Sequence, residues 1–258
     1  MLTRSMPDLT ESGLLDGRVR LRQPKSGYRV SSDAVLLAAL APVQSGSKVL
    51  ELGTGYGQVA LCVSARVSDC HITAVELLSD VAALAEQNIA LNRKSASINI
   101  LCRDVAGLDL DKQFDVVLAN PPYRQTVGHD LSPIVAKNYA NYEMDGVSLN
   151  MWTQSAANHL TLMGAACFIY DAVRTDDLAN AFQAAGLSDQ RILPFCPRVN
   201  EPAHRVAIMA KRGPSNRIVL PAIPLHEPDG SWTAALEDVL RYAGPLKSFH
   251  SHFFQNGI

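Results

Sequence analysis

An apolar strand, a glycine-rich turn and a helix follow one another directly between residues 48 and 66. Residues 48–52 (Lys-Val-Leu-Glu-Leu) form a short apolar run typical of a buried parallel strand. Residues 53–57 (Gly-Thr-Gly-Tyr-Gly) follow, and a helical stretch begins at Gln58. This order lets the backbone approach a ligand closely and points a helix N-terminus at it. It predicts an α/β fold, with glycine spacing that differs from the G-x-G-x-x-G of dinucleotide sites.

Acidic residues stand at the ends of three successive predicted strands, at Glu51, Glu76 and Asp104. The carboxyl ends of parallel strands meet at one edge of a sheet, where ligands bind. Glu76, about 20 residues after the last glycine, can hold two ribose hydroxyls. Asp104 can accept from an adenine amino group while the Val105 amide reaches a ring nitrogen. Each acid alone could simply end a strand or cap a helix; together with the glycine turn they predict an adenosine-type cofactor.

The run Asn120-Pro121-Pro122-Tyr123 follows a predicted strand at residues 114–119, which the prolines end because they cannot donate to a ladder. The Asn120 side-chain oxygen and a proline-fixed carbonyl can accept both N–H bonds of a planar exocyclic amine. That pulls the nitrogen toward a pyramidal shape and frees its lone pair for methyl transfer. Tyr123 offers a face for stacking the base, worth roughly 1–3 kcal/mol. The alternative is a strand stop followed by a turn.

Composition excludes some classes of function and compartment. The chain has 258 residues and a net charge of −2, so it fits one α/β domain with additions and has no global basic field. Its five cysteines lack a CxxC pair and predict buried, reduced thiols. The histidines show no metal-ligand spacing, so no metal is expected. With no apolar run of membrane-spanning length and no signal peptide, we expect a soluble cytoplasmic protein.

The N-terminal part predicts a hairpin and a helix. Residues 1–16 lack periodicity and predict a loose arm, whereas residues 18–22 alternate basic and apolar side chains like a half-buried strand. Turn residues at 24–27 make a hairpin plausible. Ser31 and the two residues after it predict the cap of a helix over residues 34–41.

Basic side chains are concentrated between residues 17 and 32, which contain no acid. This stretch is either a solvated strand face or a patch that contacts phosphates, and the two alternatives stay open. The basic residues are Arg18, Arg20, Arg22, Lys25 and Arg29.

The remainder predicts a long loop followed by alternating elements. Residues 124–147 are polar and rich in turns, which is typical of a lid, a substrate loop or a disordered segment. Further on we predict a helix at 149–163, a strand at 164–171, a helix at 175–185, an antiparallel pair at 188–195 and 204–211, and a helix at 231–242.

Residues 50–57, Glu76, Asp104 and residues 120–123 together resemble the motifs of class I S-adenosylmethionine-dependent methyltransferases that modify exocyclic or amide nitrogens. Residues 23–37 are similar to the leader of the bacterial tRNA1(Val) adenine-N6-methyltransferase family. In that family the target adenine lies next to the anticodon. The resemblance implies S-adenosyl-L-methionine as the cofactor, N6 of an adenine as the acceptor and tRNA as the partner.

Two C-terminal segments, residues 202–206 and 225–230, are also similar to that family. The implied fold is a seven-stranded, mainly parallel Rossmann-like sheet with helices on both faces, one antiparallel strand near the end, and an N-terminal hairpin and helix. The implied division is an N-terminal extension at 1–42, a methyltransferase domain at 43–212 and a C-terminal extension at 213–258.

The resemblance also implies roles for individual residues. No general base is needed, since the amine becomes acidic only as the methyl group arrives; positioning carries the catalysis. The catalytic set is Asn120, Pro121, Pro122 and Tyr123. The cofactor-binding set is Glu51, Gly53, Thr54, Gly55 and Gly57 near the methionine moiety, Glu76 and Leu77 at the ribose, Asp104 and Val105 at the adenine, and Asn120. The substrate-binding set is Arg20, Arg22, Lys25, Arg29, Tyr123 and Arg124.

Three other functions are alternatives to this one. A glutamine side chain or a small-molecule amine presents the same planar NH2 to Asn120, so the chain could methylate a protein or a metabolite. A noncatalytic cofactor- or RNA-binding module is disfavoured by the intact glycine and Asn-Pro-Pro-Tyr motifs. A nicotinamide-binding protein is disfavoured by the glycine spacing.

Overall fold

The computed structural model describes residues 8–26, 30–125, 142–143, 148–242 and 244. The chain opens with an antiparallel hairpin of β1 (Leu9–Leu14) and β2 (Val19–Pro24). The strand predicted at residues 18–22 is therefore confirmed, but the hairpin turn predicted at 24–27 is wrong, because the strand pairs with the preceding residues through a turn at 15–18. The loose arm predicted for residues 1–16 is wrong over β1, because that strand is ordered by pairing with β2 and carries little periodicity of its own.

Six α-helices occur in the described part of the chain. In the first of them the Ser31 hydroxyl accepts from the Asp33 amide, so the predicted cap is confirmed. The helices are α1 (Ser32–Leu40), α2 (Gln58–Arg66), α3 (Ser79–Leu91), α4 (Leu149–His159), α5 (Thr175–Ala184) and α6 (Ala234–Tyr242). A short 3-10 helix at Ala172–Arg174 precedes α5.

Within the described residues, the central sheet contains nine strands in the order β12-β10-β11-β9-β6-β3-β4-β5, with β13 also paired to β10. Neighbouring strands run parallel except at β11, which is antiparallel to β9 and β10. The strands are β3 (Lys48–Leu52), β4 (His71–Glu76), β5 (Ile98–Cys102), β6 (Phe114–Ala119), β9 (Leu160–Asp171), β10 (Asp189–Cys196), β11 (Arg205–Lys211), β12 (Asn216–Val219) and β13 (Ile223–Pro224). A separate two-residue pair joins β7 (Arg124–Gln125) and β8 (Tyr142–Glu143).

The predicted fold class is confirmed, and the sheet has two strands more than the seven expected. The additional strands, β12 and β13, come from the C-terminal extension and pair with the outer edge of β10. An uncovered edge presents unpaired backbone donors and acceptors, which these short strands satisfy.

The helix predicted at residues 149–163 ends at His159, and β9 begins at Leu160 instead of Gly164. Leu160 pairs with Phe114 of β6, and a bulge shifts the register before Val116 pairs with Ala165. No proline or glycine separates helix from strand in the sequence, so only the pairing with β6 reveals the boundary.

Helices cover both faces of the sheet, because side chains along each strand alternate between two cores. One core receives Val49 and Val116 together with side chains of α1, α2, α3 and α6. The other receives Leu50 and Val117 with side chains of α4 and α5. Of the five free cysteines, Cys102 is exposed and the other four are buried.

Candidate active site

The strands of the parallel half end level with one another at their carboxyl edge. Leu52 of β3 pairs with both Val75 of β4 and Ala119 of β6, and Glu76 pairs with Cys102 of β5. The segments that follow these strands therefore leave the sheet side by side. The glycine turn, Glu76, Asp104 and Asn120 are brought to one edge, as the sequence predicts.

The glycine turn adopts a backbone that other residues rarely take. Gly53, Gly55 and Gly57 have φ values of +69°, +59° and +85°, and Gly57 caps α2. A Cβ atom built on Gly53 would lie 2.7 Å from the Trp152 ring of α4. The turn is thus held between the sheet edge and α4, with room only for glycine at position 53.

Glu51, in the strand that precedes this turn, holds it by hydrogen bonds. Its side chain is buried, and Oε2 accepts from the Thr54 hydroxyl at 2.8 Å and the Ala60 amide at 3.0 Å. Burial raises the pKa of Glu51 to about 8, against the effect of these hydrogen bonds, and the nearby Glu76 adds to the rise. The predicted cofactor acid is therefore engaged by the protein itself, where it ties the turn to α2.

We expect Glu51→Gln to remove part of the pH dependence of stability. The folded-state pKa of Glu51 is raised above its ordinary value, so its contribution is fully present below about pH 4.5 and lost as pH rises through about 8. Glutamine keeps an acceptor for both donors and stays neutral. Urea unfolding from pH 5 to 9 should show the variant gaining stability relative to wild type up to about pH 8; parallel curves would contradict this.

Glu76 lies directly against the glycine turn. Oε2 accepts from the Gly55 amide and Oε1 from the Leu78 amide, each at 3.0 Å. Burial raises the pKa of Glu76, while the backbone hydrogen bonds oppose that shift. The two features that the sequence assigned to one cofactor are thus in contact.

The other predicted cofactor positions differ in exposure. Asp104 is exposed and its Oδ1 accepts from the Ala106 amide at 2.8 Å, whereas Val105 is buried in the core. Leu77, next to Glu76, has 39% of its surface exposed.

Asn120 and Tyr123 are in direct contact. The Tyr123 hydroxyl hydrogen-bonds Oδ1 of the Asn120 side-chain amide and lies 3.1 Å from Oδ2 of Asp33, in α1. The Tyr123 ring packs edge-on against Tyr170 with a centroid distance of 5.3 Å. The Asn-Pro-Pro-Tyr run is therefore held by an internal hydrogen bond and by contacts with α1 and β9.

Two arginines that the sequence did not assign to the site complete this cluster. Arg205 Nε lies 3.1 Å from Oδ2 of Asp33, and its guanidinium stands 4.7 Å from the Tyr123 ring centre. Burial disfavours the Arg205 charge, but Asp33, Tyr123 and Asp171 together outweigh it, and the pKa of Arg205 is raised. Arg174 Nη1 donates to the Tyr170 hydroxyl at 2.7 Å and to the Tyr123 carbonyl at 3.4 Å. Asp33 and Arg205 lie in the two segments, 23–37 and 202–206, that are similar to the tRNA1(Val) methyltransferase family. No spacing in the sequence indicates that these two residues are in contact.

Asn88 of α3 was also missed, and it links the hairpin to the glycine turn. Its buried amide accepts from the Arg22 amide at 2.8 Å and donates to the Arg22 carbonyl at 2.9 Å and the Tyr56 carbonyl at 3.0 Å. Asn92, the C-cap of α3, binds the Arg20 backbone in the same way. The hairpin is therefore part of the site's support.

Acids of the N-terminal segment face the basic stretch. Glu11 pairs with Arg20 at 2.7 Å and with Arg22 at 3.3 Å, and Lys25 pairs with Asp8 at 3.1 Å. The hydrogen bond from Arg20 is the main cause of the lowered pKa of Glu11. Part of the predicted patch is thus neutralised within the protein.

Some of the predicted substrate-binding positions lie outside the residues that the structure describes. Arg29, the Arg124 side chain and most of residues 124–147 fall in the part of the chain that the structure does not describe. Within the described residues, no helix combines the length and the apolar character needed to cross a membrane.

Residues 28–145 match the methyltransferase small domain family. Similar curated proteins are named tRNA1(Val) (adenine(37)-N6)-methyltransferase. One from a Flavobacteriaceae bacterium is 36% identical over 41% of this chain and 46% of its own length. One from Histophilus somni is 33% identical over 56% of this chain and 61% of its own length. The chain thus spans about half to three-fifths of these two relatives. One from Serratia proteamaculans is 28% identical over 81% of this chain and 80% of its own.

Solved structures share the fold. A predicted O-methyltransferase from Agrobacterium tumefaciens has a TM-score of 0.68 at 21% identity, covering 83% of this chain and 97% of its own. Geranyl diphosphate C-methyltransferase from Streptomyces coelicolor has a TM-score of 0.53 at 11% identity, covering 70% and 79%.

Proposed function

We propose that this chain, whose residues 28–145 match the methyltransferase small domain family, methylates N6 of an adenine in tRNA, with S-adenosyl-L-methionine as the methyl donor. The observation that carries the proposal is the pairing of Leu52 with Ala119. It sets Asn120 beside the glycine turn on the next strand. The side chain that would accept hydrogen bonds from the amine and the turn that would bind the cofactor therefore lie at one edge of the sheet. The names of the similar proteins support tRNA as the substrate and adenine as the methylated base.

The residues at this edge fit the cofactor. The left-handed glycines leave three of the turn's five positions without a Cβ atom, and a Cβ built on Gly55 would lie 3.1 Å from the Gln58 side chain. The Glu76 carboxylate would hold the ribose hydroxyls, while Asp104 and the Val105 amide would hold the adenine. The bound cofactor supplies an electrophilic methyl group. The protein's contribution is to orient it toward the acceptor.

The acceptor side depends on hydrogen bonding rather than proton abstraction. The Asn120 oxygen and the Pro121 carbonyl would accept from the exocyclic amine and localise its lone pair as the methyl group arrives. The adenine would stack on the Tyr123 face opposite Arg205, which already covers one side at 4.7 Å. A ring held by Arg205 and Tyr170 loses little freedom when a base binds.

The direct test is incubation of purified protein with labelled S-adenosylmethionine and an unmodified tRNA1(Val) transcript. Nucleoside mass spectrometry should show one N6-methyladenosine, and the transcript with that adenine replaced by guanosine should stay unlabelled. A protein extract offered in parallel tests the glutamine alternative. Label in protein and none in tRNA would refute the RNA assignment.

The hairpin's basic side chains are proposed to contact phosphate, together with Arg29 and Arg124. Neutralising Arg20 and Arg22 should weaken RNA binding and reduce the slope of log K against log salt by about 0.7–0.9 per lost contact. Arg217→Gln is a matched control, because Arg217 also pairs with an acid, Asp176 at 3.7 Å. Arg217 lies opposite Gln190, near the amino end of β10 and therefore away from the carboxyl edge of the sheet. Equal slopes in wild type and the hairpin variant would make this stretch a solvated strand face.

The division into residues 1–42, 43–212 and 213–258 and a cytoplasmic location belong to the same proposal. The packing of α1 against α2 and of α6 against α1 supports extensions that join the main body. A tRNA substrate places the enzyme where tRNA is found.

A further inference from the structure

We propose that Asp33, held by Arg205, is a positioning residue that sets the orientation of the Asn120 amide through the Tyr123 hydroxyl. The inference deepens the proposed function and rests on it. It assigns a role to a residue that its sequence position marks only as part of a helix cap.

The geometry joins four side chains in a row. Oδ2 of Asp33 accepts from Arg205 Nε and is 3.1 Å from the Tyr123 hydroxyl, which also contacts Oδ1 of the Asn120 amide. The Asp33 side chain is only 8% exposed, so water competes little for that oxygen. The chain thus runs from an ion pair to the proposed catalytic amide.

The Tyr123 hydroxyl has one proton and faces two acceptors, so it cannot donate to both at once. A carboxylate in an ion pair is a stronger acceptor than a neutral amide oxygen. The proton therefore goes to Asp33, and the hydroxyl oxygen turns its lone pairs toward Asn120.

That choice decides how the Asn120 amide lies. The structure places Oδ1 of Asn120 at this hydroxyl, and rotation about one bond exchanges the two ends of the amide. With a lone pair of the Tyr123 oxygen facing the amide, the favourable arrangement is the rotated one, in which Nδ2 donates to that oxygen. Oδ1 then lies at the opposite end, free to accept from an incoming amine. If Tyr123 donated to Asn120 instead, the oxygen needed by the amine would already be occupied.

The supports of this relay are rigid and come from distant parts of the chain. Asp33 lies in the first turn of α1 and Arg205 is the first residue of β11. Their fixed positions mean that the relay is present before substrate binds, which is what preorganisation of a polar group requires.

A double-mutant cycle on turnover tests the proposal. We expect Asp33→Asn and Tyr123→Phe each to lower kcat about ten-fold, with cofactor affinity and KM nearly unchanged, as for loss of one hydrogen bond. Because both act through one proton, the double variant should be no slower than either single variant. A loss of about 100-fold, the product of the two, would overturn the relay.

Ser31→Ala is the matched structural control. It removes the hydroxyl that accepts from the Asp33 amide and weakens the same helix terminus without touching Tyr123. It should lower Tm as Asp33→Asn does and leave kcat unchanged. An equal fall in kcat would mean that helix stability, not proton placement, explains the Asp33 effect.

The side-chain amide signals of Asn120 give a readout independent of substrate. In 15N NMR spectra they should shift, and exchange faster with water, in Asp33→Asn and in Tyr123→Phe, because Nδ2 loses its acceptor. Unchanged signals overturn the positioning role whatever the substrate is. If the signals respond but tRNA is not methylated, the proposed function fails and the positioning of Asn120 stands.

Discussion

Asn120→Ala is expected to lower kcat by about 10²–10³-fold while KM changes little. The Asn120 oxygen would accept more strongly as the target nitrogen becomes pyramidal, so its loss falls on the transition state. Single-turnover methylation of tRNA with saturating cofactor measures the effect directly. Asn120→Asp keeps an acceptor and should retain partial activity.

Two measurements separate this from a structural role for Asn120. Calorimetry should show wild-type affinity for S-adenosylmethionine in Asn120→Ala, and Asn158→Ala, at an exposed helical asparagine, should behave as wild type throughout. A turn or cap role predicts the reverse, namely a lower Tm with unchanged turnover per folded molecule. Wild-type kcat in Asn120→Ala would remove the proposed mechanism.

Gly55→Val is expected to abolish binding of S-adenosylmethionine, at least a 100-fold loss or about 2.7 kcal/mol. Gly55 has φ +59°, which a β-branched residue tolerates poorly, and its Cβ would enter the space near Gln58. Its amide also donates to Glu76, so a displaced turn would disturb the proposed ribose acceptor.

Gly46→Val is the matched control for backbone strain. Gly46 has φ +80° with nothing within 4 Å of an added Cβ, and it precedes β3 at the opposite end of that strand. It should lose stability comparably and still bind the cofactor. Equal binding by Gly55→Val and wild type would end the assignment of the turn to the cofactor.

Local patterns predicted the parallel half of the fold well. The start of α2 and the bounds of β6 are those expected, because a glycine turn precedes the helix and prolines follow the strand. The start of β9 and the strands β12 and β13 were not foreseen, since they depend on pairing partners distant in sequence. A strand edge imposes structure on residues that have no strong preference of their own.

The amino-acid sequence alone determined the strand–turn–helix order, the glycines that require left-handed backbone and the placement of Asn120 after a strand, because each depends on neighbouring residues. Only the tertiary structure decided which side chains meet. It placed Glu11 against Arg20 and Arg22, although both arginines belong to a stretch of the sequence that contains no acid. It also joined Asp33 to Arg205 and Tyr123, since contacts between residues far apart in the chain follow from how the sheet orders its strands, and no local spacing encodes them.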